Sequence, residues 1–256
     1  MSAIERPTRA QRTRRLVVLA AAVFAVVVPV VQNLGGFGLS QAEFAADGNQ
    51  TLQVAGYAFS LWGLIYLGLL AYAGRQVLPQ TGESVLINRM GWPSAVALFG
   101  IGLWIIVAAL NLKAASVMVI FASLLALVVP LLANARTIRA TGVMERDRWF
   151  LIWPLAALAG WLTIAAPLNL ITTATAFDAL PAFLSPTGWA IAAVAVVVLV
   201  GAAVTASLRT LAFPLPIAWG LVGPLSQNRS GIRCLASPPW APPSCWWWPP
   251  SSWSSV

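Results

Sequence analysis

The chain has 256 residues, of which 59% are hydrophobic and 9% are charged, and its mean hydropathy is +0.82. Soluble domains carry about 25% charged residues, so this composition excludes a water-soluble globule. The net charge of +8 does not indicate nucleic-acid binding, because the basic residues stand in short clusters between apolar runs. The chain is therefore best divided into membrane spans of roughly 20 residues each.

Seven apolar segments follow one another along the chain, and they predict an all-α, polytopic transmembrane bundle. The seventh segment is short for a span and is interrupted by Pro214 and Pro216. The segments are Leu16–Leu34, Val54–Gly74, Trp92–Leu112, Ala115–Ala135, Phe150–Ala174, Trp189–Leu208 and Leu211–Gly223.

Basic residues alternate between the loops. Residues 1–15 are basic, and further arginines follow the second, fourth and sixth segments. The intervening loops carry Glu43, Asp47, Asp178 and a lone Lys113. Lys and Arg are enriched in cytoplasmic loops. We therefore predict a multi-pass protein of the inner (plasma) membrane with a cytoplasmic N-terminus.

The composition changes abruptly after Gly223. The end reads SPPWAPPSCWWWPPSSWSSV, a proline density that no membrane helix tolerates. Read two nucleotides later, with G or C in third codon positions, the same bases would encode an apolar run of about one span. We predict that residues 224–256 are frameshifted from an eighth transmembrane helix. A genuine Pro/Trp-rich interfacial tail is the alternative.

The apolar segments are poor in groups that do chemistry. Histidine is absent, and no Asp, Glu, Lys or Arg lies deep within a segment. Catalysis needs titratable or nucleophilic groups placed together, and a coupled transporter usually keeps a carboxylate at membrane depth. We therefore expect no enzyme, no metal site and no ion-coupled transport.

Two segments carry aromatic residues at helical spacing. Trp62 and Tyr66 stand four residues apart in GYAFSLWGLIY, so a helix places both rings on one face. Trp161 and Asn169 share roughly one face of the fifth segment, where Pro167 is expected to kink the helix. These patterns are typical of ordinary helix packing and equally of a pocket wall. For the amide, an interhelical hydrogen bond is the expected role and ligand contact the minority alternative.

These stretches resemble the tryptophan-rich sensory protein family, also called TspO/MBR or translocator protein. FSLWGLIY (Phe59–Tyr66) is similar to its second helix, and GWLTIAAPLN (Gly160–Asn169) to its fifth. Trp104 matches the tryptophan of its third helix, and the end of the first span at Gly35-Gly36 also fits. Two features depart from the family: the first outer loop lacks a Trp-Pro-Pro type sequence, and Ile101 replaces an asparagine.

The resemblance implies a five-helix core over residues 16–175, as in longer bacterial members that add further helices, here two or three beginning within 176–223. It implies a binding or sensory membrane protein with an intramembrane pocket for an apolar ring ligand, such as a porphyrin or haem. An uncoupled facilitator of small metabolites or lipids is the alternative. A pigment-degrading enzyme is the third hypothesis, which the lack of a buried titratable group disfavours.

The expected partners are the lipid bilayer, the small ligand and a second copy of the chain in a homodimer, with no nucleic acid. No resident cofactor is expected. The pocket residues that the resemblance implies, carried over by position, are Trp62, Tyr66, Trp104, Trp161 and Asn169.

Overall fold

The computed structural model describes residues 8–49, 51–52, 56–77 and 84–221. Six of its helices are long and apolar enough to cross a membrane, which confirms the predicted helical bundle. In chain order the elements are α1 (Arg9–Gly35), α2 (Gln41–Ala46), a 3₁₀ helix (Gly56–Ser60), α3 (Leu61–Val77), α4 (Val85–Ala109), α5 (Lys113–Ala133), α6 (Ala135–Ala140), a π-helical turn (Arg148–Ile152), α7 (Trp153–Ala176), α8 (Pro186–Leu208) and α9 (214–221).

Capping residues set where the long helices begin. The backbone N–H of Gln11 donates to the Thr8 hydroxyl at 3.3 Å, and the Gln11 side chain accepts from the N–H of Thr8 at 2.7 Å. Because this capping box satisfies free donors of the first turn, α1 begins well before the predicted Leu16. The Ser84 hydroxyl likewise accepts from the N–H of Ile87 at 3.0 Å and starts α4. The apolar segments therefore mark the centres of the helices, and the caps mark their ends.

Five of the long helices form a closed ring. Its packing order is α3, α1, α4, α5 and α7, and α7 returns to α3. These are the helices of the predicted five-helix core. The sixth long helix, α8, packs outside the ring against α7, α5 and α6. Accordingly, 67% of the membrane-crossing window of α7 is buried, compared with 22% for α8.

Ion pairs distinguish the two ends of the bundle. At one end, which we call the cavity end, Lys113 at the start of α5 pairs with Asp47 after α2. At the other, the arginine end, Arg75 near the end of α3 pairs with Asp147, which precedes the π-helical turn. The loops thus fall into the same two sets that the charge pattern of the sequence separates.

The seventh apolar segment does not form a further long helix within the described residues. It begins as a turn over residues 211–213 and continues as α9, which lies against α7. A Cβ on Gly160 of α7 would overlap the carbonyl oxygen of Phe213, so this close approach requires a glycine. The end of the segment, and residues 224–256 with their predicted frameshift, lie outside the described residues.

Candidate ligand-binding site

A cavity of about 70 Å³ lies toward the cavity end of the bundle. Four of the five predicted pocket residues lie in its wall: Trp62 from α3, Trp104 from α4, and Trp161 and Asn169 from α7. The fifth, Tyr66, does not. It faces a neighbouring groove between α1 and α3. The folded chain therefore brings together residues that are more than a hundred positions apart in sequence.

Aromatic rings from four elements meet around this cavity. The rings of Trp62 and Tyr66 stack with centroids 5.1 Å apart and planes 19° apart, as their spacing predicts. The Trp62 ring also meets Trp161 edge to face at 5.9 Å and 76°. On the opposite wall, Trp104 meets Phe44 of α2 edge to face at 6.0 Å and 79°. Offset stacks and edge-to-face pairs are the favoured aromatic geometries, so these contacts stabilise the rings in place.

Four polar groups in the cavity wall are buried without a hydrogen-bond partner among the described residues. Three can donate: the indole N–H groups of Trp104 and Trp161 and the side-chain nitrogen of Asn169. The fourth is the side-chain oxygen of Gln41, which can accept. Leaving a buried polar group unpaired costs about 1–3 kcal/mol, so four such groups at one cavity are the pattern expected of a site for a ligand with hydrogen-bonding atoms.

Two tryptophans away from the cavity behave differently. The indole N–H of Trp149 donates to the carbonyl oxygen of Val143 at 2.8 Å, and that of Trp189 donates to Pro181 at 3.0 Å. Trp149 is exposed and Trp189 is half-buried, both near the starts of their helices. They therefore provide references outside the cavity for its unpaired indoles.

Asn169 joins α7 to α5. The hydroxyl of Ser116 lies 3.0 Å from its side-chain oxygen and 2.6 Å from the carbonyl oxygen of Lys113. A serine hydroxyl has one proton to donate, and the oxygen and nitrogen of an amide are assigned from such networks. In either orientation one end of the amide pairs with Ser116, as the interhelical prediction required, and the other end is left for the cavity.

The short helix α2, which the sequence analysis did not identify, closes the cavity at its end. Gln41 and Phe44 of α2 line the cavity. The ammonium group of Lys113 lies 4.8 Å from the centre of the Phe44 ring and donates to Asp47 and, at 2.9 Å, to Asn111. A cation over an aromatic face is attractive. Lys113 therefore fastens α2 over the end of the ring of helices.

A signal for α2 was present in the sequence. Ser40 and Glu43 have capping-box spacing, and in the structure the N–H of Ser40 donates to the Glu43 carboxylate at 2.7 Å. The N–H of Glu43 donates in turn to the Ser40 hydroxyl at 3.2 Å. The backbone N–H of Ser40, followed by its hydroxyl, lowers the pKa of Glu43 below its ordinary value.

Helices outside the ring also contribute to the cavity wall. Val194 and Val197 of α8, and Gly220 and Leu221 of α9, line it. Gly220 lies close to α7, since a Cβ at this position would lie 2.9 Å from Ile164. No periodicity pointed to these residues, because α8 and the residues around α9 are apolar on all sides.

A family model described as TSPO-like protein matches residues 15–237. That range contains the ring except for the first six residues of α1, together with the cavity, α8 and α9, and it continues past the described residues. Searches of curated proteins and of solved structures gave no match.

Proposed function

This chain belongs to the TSPO-like protein family and is an integral membrane protein, and we propose that it is a binding or sensory protein whose cavity takes a flat, apolar ring ligand of the tetrapyrrole type. The observation that carries this proposal is the set of four unpaired polar groups around a largely apolar cavity. Small-molecule sites in proteins are typically built the same way, from apolar walls and a few convergent polar groups.

The lining of the cavity indicates the chemistry of its ligand. A flat ring placed beside Trp62 and Trp161 would gain dispersion and stacking energy. Acceptor atoms on its edge would accept hydrogen bonds from the indole N–H groups of Trp104 and Trp161. Among the described residues that line the cavity, none carries a charge. A neutral ligand is therefore favoured over one with a buried carboxylate, whose desolvation nothing in the wall would offset.

The size of the cavity indicates that binding moves its walls. Ligand pockets typically measure about 300–1,000 Å³, whereas this cavity measures about 70 Å³. A tetrapyrrole can enter only if side chains or short elements such as α2 and α9 are displaced. A displacement of that kind is also what a sensory protein needs in order to report that its ligand is bound.

The test is a titration of the full chain in lipid nanodiscs with protoporphyrin dimethyl ester, followed by the Soret band of the porphyrin. The double variant Trp104→Phe/Trp161→Phe keeps an aromatic ring, although a smaller one, at both positions and removes both donors. At about 1 kcal/mol for each hydrogen bond, its affinity should fall roughly 10- to 30-fold.

The matched control is Trp149→Phe/Trp189→Phe, which removes two indole donors outside the cavity and should bind like the wild type. Unfolding curves of both variants establish that they fold. A wild type that does not bind the ester, or two double variants with equal affinity, would contradict the proposal.

A second titration tests the preference for a neutral ligand. Protoporphyrin and its dimethyl ester have the same ring and differ in the two carboxylates. The ester should bind at least as tightly as the free acid, after correction for the partition of each into empty nanodiscs. A clear preference for the free acid would point to a cationic contact that the cavity wall does not supply.

We propose binding without catalysis, because no titratable or nucleophilic group with a paired base lies among the described residues of the cavity wall. Incubation with porphyrin in the dark should return the pigment unchanged, as judged by chromatography. Formation of a product would favour the enzyme hypothesis instead.

Facilitated transport is the alternative proposal, and it requires a path through the bundle from one end to the other. A path to the arginine end would have to open the layer formed by Leu69, Tyr72 and Leu98, whose exposures are 0%, 1% and 0%. Flux of the ester across proteoliposomes, insensitive to a proton gradient, would favour transport over binding alone.

We further propose that the arginine end faces the cytoplasm and that the protein resides in the inner (plasma) membrane, because basic loops are retained on that side. Labelling of single cysteines introduced at Asp178 and Arg139 in intact cells, in a chain whose Cys234 and Cys245 are replaced by serine, tests the orientation, and only the first should react with an impermeant reagent. The homodimer stays a prediction, which the mass of the protein in nanodiscs tests.

A further inference from the structure

A groove of about 330 Å³ runs between α1 and α3 on the membrane-facing side of the ring. Pro29 and Val30 of α1 line one side of the groove, and Phe59 of the 3₁₀ helix and Tyr66 of α3 line the other. Val30 belongs to a helix long and apolar enough to cross a membrane and is 49% exposed, so this side of the groove would face lipid in a bilayer. Asn33, Ser40 and Gln41 add polar side chains to the lining.

Groove and cavity adjoin each other at three shared side chains. Trp62, Gln41 and Phe59 line both spaces. Trp62 stacks on Tyr66 on the groove side and meets Trp161 on the cavity side. The Trp62 ring therefore stands between the two spaces.

The groove also contains unpaired polar atoms. The hydroxyl of Tyr66 and the side-chain oxygen of Gln41 are buried without a hydrogen-bond partner among the described residues. A phenol can donate and an amide oxygen can accept. An apolar molecule with a polar edge, moving along the groove, would find partners for that edge before it reaches the indole donors of the cavity.

Other approaches to the cavity are covered in the part of the chain that the structure describes. The cavity end is covered by α2, which Lys113 fastens. The side beyond α7 is covered by α8 and α9, and Trp219 of α9 meets Tyr57 edge to face at 5.4 Å. The cleft between α1 and α3 is the approach that these elements leave open.

We propose that the α1–α3 groove is a second ligand site, at which a neutral, lipid-soluble ring compound with hydrogen-bonding atoms binds from the bilayer before it passes Trp62 into the cavity. This inference rests on the proposed function, since it concerns the route to the same cavity. In this proposal the Trp62 side chain moves aside to let the ligand pass from the groove into the cavity, and the Tyr66 hydroxyl forms a hydrogen bond with the ligand in the groove.

The test is the rate of binding of protoporphyrin dimethyl ester to the full chain in nanodiscs, followed by stopped flow. In Val30→Trp a large ring fills the mouth of the groove. Association and dissociation should both slow by tenfold or more while the dissociation constant stays within about threefold, because an obstructed entrance changes both rates equally. A merely structural role of Val30 would not produce that pattern.

The matched control is Val31→Trp, on the same helix and of similar exposure at 53%, but outside the groove. Its rates should equal those of the wild type. Because Val30→Trp could disturb the packing of α1, Val30→Ala provides an independent variant that widens the mouth, and it should speed both rates severalfold.

The outcomes separate the two proposals. A wild type that does not bind the ester overturns the proposed function. If the wild type binds the ester and neither Val30 variant changes the rates, only the proposal that ligands enter through the groove is overturned. A Val30→Trp variant with weaker affinity and an unchanged association rate also overturns the entrance, because the groove would then be part of the final site.

Discussion

Two tyrosines on α3 have opposite surroundings, although both belong to one continuous helix. The hydroxyl of Tyr72 lies 2.6 Å from that of Ser94 in α4, and the residue is 1% exposed. The hydroxyl of Tyr66, nearer the cavity end, is buried without a partner among the described residues. Tyr72 is part of a hydrogen-bonded contact between α3 and α4, and Tyr66 faces an open groove.

The same contrast extends to the halves of the bundle that contain the two tyrosines. Around Tyr72, Leu69, Met90 and Leu98 are fully buried. Around Tyr66 lie a groove, a cavity and unpaired donors. The arginine half has exceptions, because the amide of Gln76 and the hydroxyl of Thr205 are also buried without a partner among the described residues. The difference teaches that the arginine half is closely packed, whereas the cavity half combines unsatisfied groups with space that a ligand would use.

The largest effect is expected from the ion pairs of the two ends. The paired side chains of Arg75 and Asp147 are 13% and 11% exposed, whereas those of Lys113 and Asp47 are 8% and 45% exposed. Asp147→Asn should lower the free energy of unfolding by about 2–3 kcal/mol, and Asp47→Asn by about 1 kcal/mol. Unfolding in mixed micelles measures both. Equal losses would remove the contrast between the ends.

A smaller effect is expected where the turn before α9 touches α7. Gly160→Ala places a methyl group against the carbonyl oxygen of Phe213 and should cost about 1–3 kcal/mol, as overpacking does. The control is Gly63→Ala, since a Cβ on Gly63 meets nothing within 4 Å. That variant should be neutral or slightly stabilising. If Gly160→Ala is also neutral, α9 is not held against α7 as described.

The two tyrosine hydroxyls themselves give the next effect. Tyr72→Phe removes an interhelical hydrogen bond and should cost about 0.6–1.5 kcal/mol. Tyr66→Phe removes an unpaired hydroxyl and should leave the free energy of unfolding unchanged or slightly higher. The same unfolding experiment compares them. A larger loss for Tyr66→Phe would mean that its hydroxyl has a partner in the folded protein.

The smallest effect concerns the cap of α2. Because hydrogen bonds from Ser40 lower the pKa of Glu43, the capping contact contributes stability above the ordinary pKa of the carboxyl group. That contribution should be lost as the pH falls through the lowered pKa. The amide signal of Ser40 in an NMR titration should move over this range. Glu43→Gln keeps a capping group that does not titrate, and its signal should stay constant.

The sequence predicted those parts of the site that depend on one helix at a time. The four-residue spacing of Trp62 and Tyr66 predicted their stacked pair, and Asn169 forms the predicted contact with a neighbouring helix. The position of Tyr66 in the groove, and not in the cavity wall, was not predictable, because it depends on where α1 lies. Phe44 was missed although Ser40 and Glu43 formed a readable cap.

Composition and periodicity alone determined that this protein is a membrane-spanning helical bundle, where the centres of its six long helices lie, and which loops share an end of the bundle, because these properties depend on neighbouring residues. Only the tertiary structure decided that α7 is central and α8 peripheral, that α2 and α9 close the cavity, and that the indoles of Trp104 and Trp161 stay unpaired. The physical reason is that lipid and protein interior are equally apolar. Hydrophobicity therefore places a helix in the membrane but does not select its neighbours, which are chosen by shape, close contacts such as Gly160 with Phe213, and a few hydrogen bonds.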